Sequence, residues 1–217
     1  MVVYLNDQIE ELDIEKALPL VSEQRRQEAL RYRQQQDRRL SLAVYLLLCE
    51  VLKKKYGIIE PPQFAFGPCG KPMLADFPGI HFNLSHCSRA ALCVVDKYPV
   101  GCDIEAVPEN LDMDLCRYCF NDEEADTICS SPCPALAFTE LWTRKEAFLK
   151  LTGQGLPADG LRDVMGSPLA RKTCFGTLAA PDRSYVYSVC SYSSTTPSCF
   201  LPSIITLRGR LKRTWRT

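Results

Sequence analysis

The stretch IHFNLSHCSRAALCVVDKYPVGCDIE, residues 80–105, decides the fold. It holds three short runs of strand character, Ile80–Ser85, Ala90–Asp96 and Val100–Glu105, separated by turn signals at CSR and DKYP. A fourth run, Lys71–Leu74, precedes them after a turn at GPCG. The last run ends in GCDIE, where charged and apolar residues alternate. In a strand that alternation places Asp103 and Glu105 on one face and Cys102 and Ile104 on the other. Two carboxylates aimed at the same point need a reason.

Helical patterns flank this meander. Residues 22–36, SEQRRQEALRYRQQQ, read as a strongly cationic helix. Residues 37–56 continue as an amphipathic one, with Leu40, Ala43, Val44, Leu47, Leu48 and Val51 at helical spacing. Asp37 suits the positive end of its dipole, and Gly57 with Pro61–Pro62 ends the region. Downstream, a short helix is expected from about Asp112 and a longer one from about Pro134 to Leu151, closing at Thr152–Gly153. The stretch GQGLPADGLRDVMGSP then leads to late strands near Ser184–Tyr192 and Cys199–Leu207. Helix then strands, twice, gives an α+β chain with two related halves, residues 1–105 and 106–217.

Bulk properties exclude several classes. A chain of 217 residues buries a full core without metal or disulfide staples. With 26 basic and 26 acidic residues the formal net charge is zero, so no global field attracts nucleic acid or a membrane. Charge is nevertheless uneven: residues 103–126 are rich in acids, and Arg208, Arg210, Lys212, Arg213 and Arg216 crowd the last ten positions. The N-terminal residues lack the basic start and long apolar run of a secretory signal. The apolar stretch LAVYLLLCEVL is too short for a bilayer and runs into Lys53, Lys54 and Lys55. A cytoplasmic location is the expectation.

Twelve cysteines are many for that compartment. Cys49, Cys93, Cys190 and Cys199 stand beside apolar residues and read as small buried hydrophobes. Cys116, Cys119, Cys129 and Cys133 form C-x2-C-x9-C-x3-C, whose first spacing suits zinc. Against that, the intervening NDEEAD looks like a helix start.

Three segments carry residues suited to chemistry. In WTRKEAFLK, residues 142–150, Trp142, Glu146 and Lys150 follow at i, i+4 and i+8 and share a helix face. By itself that is an ordinary surface ion pair. FNLSH, residues 82–86, ends a strand with Ser85 and His86, one of two histidines; strand parity groups His81, Asn83 and Ser85. GKP, residues 70–72, sets Lys71 on a tight turn where it could meet an anion.

Taken in order and at this spacing, GKP, FNLSH, GCDIE, WTRKEAFLK and GQGL resemble the 4′-phosphopantetheinyl transferase family, Sfp type. RYRQQQDRRLSLA, residues 31–43, is similar to the family's cationic lead into its first long helix. The resemblance covers about residues 20–160. It implies a pseudo-dimer of two α+β halves, each a long helix packed on a small antiparallel sheet, with coenzyme A and magnesium in the cleft between. The implied reaction moves the phosphopantetheine arm of coenzyme A to a serine of an acyl or peptidyl carrier protein and releases adenosine 3′,5′-bisphosphate. The implied metal ligands are Asp103, Glu105 and Glu146, which would explain the paired carboxylates, since magnesium takes oxygen ligands. By the same resemblance Lys150 neutralises the pyrophosphate, Ser85 and His86 contact coenzyme A phosphates, and Lys71 holds the nucleotide end. Arg25 and Ser41 match positions near the 3′-phosphate. Glu146 or a metal-bound water takes the serine proton. The segment after GCDIE would help meet the carrier, though it is richer in cysteine than the family requires. A working monomer is expected, because a pseudo-dimer has less need of a second chain. The competing readings are a magnesium-dependent nucleotide pyrophosphate hydrolase, an inactive relative that binds coenzyme A or a carrier, and a zinc-ribbon module.

Overall fold

The computed structural model of the chain describes residues 1–155, 161–192 and 203–206. In chain order the elements are β1 (Val2–Asn6), α1 (Ile14–Ala17), α2 (Glu23–Arg31), α3 (Gln35–Tyr56), β2 (Phe64–Phe66), β3 (Pro72–Leu74), β4 (His81–His86), β5 (Ala91–Asp96) and β6 (Val100–Ala106). They continue with α4 (Met113–Cys119), α5 (Asp122–Cys129), α6 (Pro134–Thr152), β7 (Thr173–Ala179), β8 (Tyr185–Tyr192) and β9 (Ser203–Thr206). The mixed helix and sheet content of the α+β reading is present. The expected basic tail, and residues 199–202 and 207 of the expected last strand, lie outside the described residues.

Local chemistry sets the helix ends. Ser22 caps α2 by accepting from the Arg25 amide, and Tyr32 turns extended, so the cationic segment is a nine-residue helix and a separate long one rather than a single run. Asn121 and Glu124 form a reciprocal capping box at α5, which confirms NDEEAD as a helix start. Gly153 ends α6 at φ 68°, a left-handed conformation that a side chain would resist.

Two sheets stack between two long helices. The first has the order β4-β5-β1-β9 and the second β6-β8-β7, with β2 and β3 as a separate hairpin. One face of the first sheet, with Tyr4, Phe82, Cys93 and Val95, packs on α3 through Leu48, Val51 and Leu52. Its other face, with Val3, Leu5, Leu92 and Val94, meets Val100, Cys102, Ile104, Tyr187 and Val189 of the second sheet. The far face of the second sheet receives α6. Gly101 shows how close that approach is: a β-carbon there would collide with the Ala147 carbonyl oxygen and the Leu151 amide nitrogen of α6. Because strand residues alternate, Asp103 and Glu105 share the Gly101 face and turn toward α6.

The sheets are not purely antiparallel. β9 runs parallel to β1, whereas the other ladders are antiparallel. The sequence reading had no strand at Val2–Asn6, at Phe64–Phe66 or at Thr173–Ala179. It placed Val100–Glu105 with the first half, yet β6 pairs with β8. Among the described residues no helix is long and apolar enough to cross a membrane.

Candidate active site

β4 and β6 are edge strands of their sheets, and they lie in contact. Asn83 and Ser85 lie opposite Val94 and Leu92, on the face that looks toward the second sheet. An edge strand inside a protein leaves backbone groups that need partners. Side chains of the first unit supply them for β6. Asn83 Oδ1 accepts from the Cys102 amide at 2.8 Å, and Lys71 Nζ donates to the Val100 carbonyl at 3.1 Å. Lys71 also donates to the Leu151 carbonyl at the end of α6, at 3.1 Å. Lys71 is thus committed to two carbonyls, and burial lowers its pKa.

The carboxylates gather where β6 passes under α6. Asp103 is 2 % exposed. Its Oδ1 accepts from Ser85 Oγ at 2.8 Å and from Lys150 Nζ at 2.6 Å, and Lys150 also donates to Ser85 Oγ at 3.0 Å. Burial, and then the charge of Asp103, push the Glu105 carboxyl up to about 7, with Glu146 adding to the rise and Lys150 opposing it. Glu146 is raised by burial and by Asp103, again against Lys150. Burial disfavours the Lys150 charge, but the pairing with Asp103 and the nearby Cys102 and Glu146 outweigh it, so its pKa is raised. The three acids and the lysine therefore form one electrostatic unit.

His86 ends β4 at an exposed position. Partial desolvation, then the charges of Lys150 and Arg25, lower its pKa against a smaller pull from Asp37. Arg25 has a side chain only 11 % exposed, and it donates to Ser41 Oγ at 3.2 Å. Its guanidinium lies over the rings of Tyr45 and Phe64, 5.1 and 5.5 Å from their centres. The structure thus joins Arg25 to Ser41, and Ser85 to Asp103 and Lys150.

Two clefts border the acids. One, of about 250 Å³, is lined by Lys71, Asn83, Glu146 and Lys150. The other, of about 320 Å³, runs from Glu105 past Leu111 and Leu115 to Phe138 and Trp142. Trp142 stacks on Phe138 with ring centres 5.7 Å apart.

Asp103 Oδ2 is buried without a hydrogen-bond partner. An ionised oxygen in that position calls for a cation, and Glu105 and Glu146 offer further oxygens of the hard type magnesium prefers. Among the described residues no three His, Cys, Asp or Glu side chains are disposed to hold a metal ion as they stand. In donor chemistry and in its orphaned oxygen the site fits a hard divalent cation such as magnesium. Among the described residues the four cysteines of the zinc reading form no metal-holding group: Cys116 and Cys119 pack in an apolar cluster with Phe120, Ile128 and Phe138, Cys129 reaches Cys116 from an exposed position, and Cys133 is exposed.

Lys145 was passed over in the sequence. It is fully buried, and its Nζ meets Glu124 Oε2 at 2.5 Å and the Leu161 carbonyl at 2.7 Å, under the Phe120 ring. It ties α5 and residues 161–162 to α6. A signal existed, because Lys145 falls between Leu141 and Phe148 on the apolar side of the helix.

Comparison with known proteins gives the class: the sequence model of the 4′-phosphopantetheinyl transferase superfamily matches residues 99–190, which run from β6 through α6 into β8. A Bacillus pumilus protein named 4′-phosphopantetheinyl transferase psf-1 is 34 % identical over 155 residues, covering 70 % of this chain and 66 % of its own length. A Bacillus subtilis 4′-phosphopantetheinyl transferase is 29 % identical, over 87 % of this chain and 90 % of its own. The 4′-phosphopantetheinyl transferase Sfp of Bacillus subtilis strain 168 is 25 % identical with the same coverage. The chain belongs to the 4′-phosphopantetheinyl transferase superfamily.

Proposed function

We propose that the chain transfers the 4′-phosphopantetheine group of coenzyme A to a serine of an acyl or peptidyl carrier protein, releasing adenosine 3′,5′-bisphosphate. The observation that carries this reading is the convergence of Asp103, Glu146 and Lys150 on one seam, with Glu105 coupled to them. The two helix-on-sheet units are read as halves of a pseudo-dimer with the active site between them, so that one chain suffices as a monomer.

In this reading Arg25 and Ser41 hold the 3′-phosphate end. His86, whose pKa is lowered by burial and then by Lys150 and Arg25, contacts a phosphate oxygen. Lys71 shapes the nucleotide side of the cleft by holding Val100 and Leu151 in place. Lys150 neutralises the pyrophosphate from its seat beside Ser85 and Asp103. Asp103, Glu105 and Glu146 would hold magnesium, which when bound withdraws charge from the pyrophosphate as it is attacked. The carrier serine oxygen bonds to the phosphorus that bears pantetheine, and the bond from that phosphorus to the bridging oxygen breaks. Glu146 accepts the serine proton through an oxygen not engaged elsewhere. The apolar cleft beside Glu105, with Leu115 exposed at its edge, is the side from which the carrier serine would come.

The test is to incubate the protein with coenzyme A, magnesium and an unmodified carrier protein and to record the carrier's intact mass. Transfer adds one phosphopantetheine to the carrier. Cleaved coenzyme A with an unchanged carrier would mean a pyrophosphate hydrolase, and unchanged substrates would mean an inactive binding relative.

A further inference from the structure

We propose that Asn83 is a positioning residue for the transfer reaction: its carboxamide holds β6 in the placement that turns Asp103 and Glu105 toward α6. The proposal rests on the reading of Asp103, Glu105 and Glu146 as magnesium ligands.

β6 has a ladder partner on one edge only. On its open edge and on the face toward α6, four successive residues are fixed by groups from outside its own sheet. The Val100 carbonyl is held by Lys71, Gly101 is pressed against the backbone of α6, the Cys102 amide is held by Asn83, and the Asp103 carboxylate is held by Ser85 and Lys150. The Asn83 bond stands apart, because it fixes a backbone amide directly next to a ligand residue. Asn83 is 4 % exposed and Cys102 is fully buried, so no bulk water can replace the bond. The orientation of the carboxamide is set by chemistry, since an amide N–H donates and only Oδ1 can accept. In effect one side-chain carbonyl takes the place that a neighbouring strand's backbone carbonyl would fill.

Removing it leaves a buried amide without a partner. β6 relieves that by shifting toward water or toward another acceptor, and its carboxylates move with it. Residues that orient metal ligands from behind typically change metal affinity by about tenfold to a hundredfold when lost.

The experiment is a titration of the full chain with Mn2+ alone, followed by the loss of the free-ion electron paramagnetic resonance signal. It compares wild type, Asn83→Ala and Val51→Ala. Val51 lies in the α3 core, away from the seam, and serves as a control for lost stability, with melting curves recorded for both variants. Asn83→Ala is expected to weaken Mn2+ binding about tenfold or more and to speed amide hydrogen exchange in residues 100–106. Val51→Ala is expected to bind Mn2+ within about twofold of wild type despite a similar loss of melting temperature. Asn83→Ser, which is shorter and cannot reach the amide in the same way, replaces Asn83→Ala if that variant does not fold, with the same expected weakening of Mn2+ binding. Asn83→Ala binding like wild type, or Val51→Ala weakened equally, overturns the proposal alone. A wild-type protein that takes up no Mn2+ overturns the metal reading, and this proposal with it.

Discussion

Gly101→Ala probes the whole arrangement with one methyl group. The added β-carbon would lie 2.5 Å from the Leu151 nitrogen and 2.8 Å from the Leu151 β-carbon, besides overlapping the Ala147 carbonyl oxygen. Ordinary contacts of this kind sit at about 3.5–4.0 Å, so α6 and β6 must separate by roughly 1 Å. Backbone atoms are the main obstacle, and no rotamer change relieves it. Overpacking of this sort costs about 1–3 kcal/mol, a melting-temperature loss of about 2–12 °C for a chain of this size. The functional loss is expected to be larger than the stability loss. Ala147 neighbours Glu146, and a misplacement of about 1 Å at a reacting centre lowers rates by roughly a hundredfold. Differential scanning fluorimetry gives the first quantity and carrier modification followed by mass spectrometry the second. A variant that melts within about 1 °C of wild type and modifies the carrier at the same rate would refute the reasoning, because α6 would then not be seated on β6 as described.

Three further outcomes are expected. Asp103→Ala lowers transfer by roughly a hundredfold or more, whereas Arg25→Ala, which removes one charge-assisted contact worth about 1.5 kcal/mol, lowers it about tenfold; steady-state kinetics showing equal losses would count against the metal assignment. Glu124→Ala strands the buried Lys145 ammonium and destabilises by about 3–5 kcal/mol, more than Lys145→Met, which removes the charge itself; denaturant unfolding of both variants measures the order. Glu105 is held at about 7 against 4.5 for an ordinary glutamate, so between those values the folded protein binds more protons than the unfolded chain. Its contribution is favourable below that window and is lost as pH rises through it, which makes the metal-free protein less stable at pH 8 than at pH 5 on this account. Magnesium relieves the same repulsion, so the rise in melting temperature on adding it should be larger at pH 8 than at pH 5; a pH-independent rise would mean that Glu105 is uncoupled from the ion.

Much of this was legible in the sequence because the signals were local. The alternation in GCDIE put Asp103 and Glu105 on one strand face, and helical spacing put Glu146 and Lys150 on one helix face. Asp112, Pro134 and Gly153 marked helix ends through chemistry that acts within a turn. What was hidden depends on contacts distant in sequence. Val2–Asn6 is a strand because β5 on one side and β9 on the other pair with it, and its five residues carry no turn signal that would reveal this. β6 reads as the end of one meander, but its ladder is completed by Tyr185–Tyr192. Lys71 looked like a free cation on a turn, and only the fold shows its ammonium bonded to carbonyls at Val100 and Leu151. Asn83 was assigned its strand face correctly, yet its partner, the Cys102 amide, could not be read from side-chain pattern at all.

The account depends most on one cation meeting carboxylates from β6 and α6. Crystals of the protein soaked with Mn2+ and coenzyme A, measured near the manganese absorption edge, locate that cation directly. An anomalous peak within coordination distance of Asp103, Glu105 and Glu146, and in contact with the pyrophosphate, is the expected result. A peak bound elsewhere, or ordered coenzyme A in the cleft with no peak beside Asp103, would contradict it.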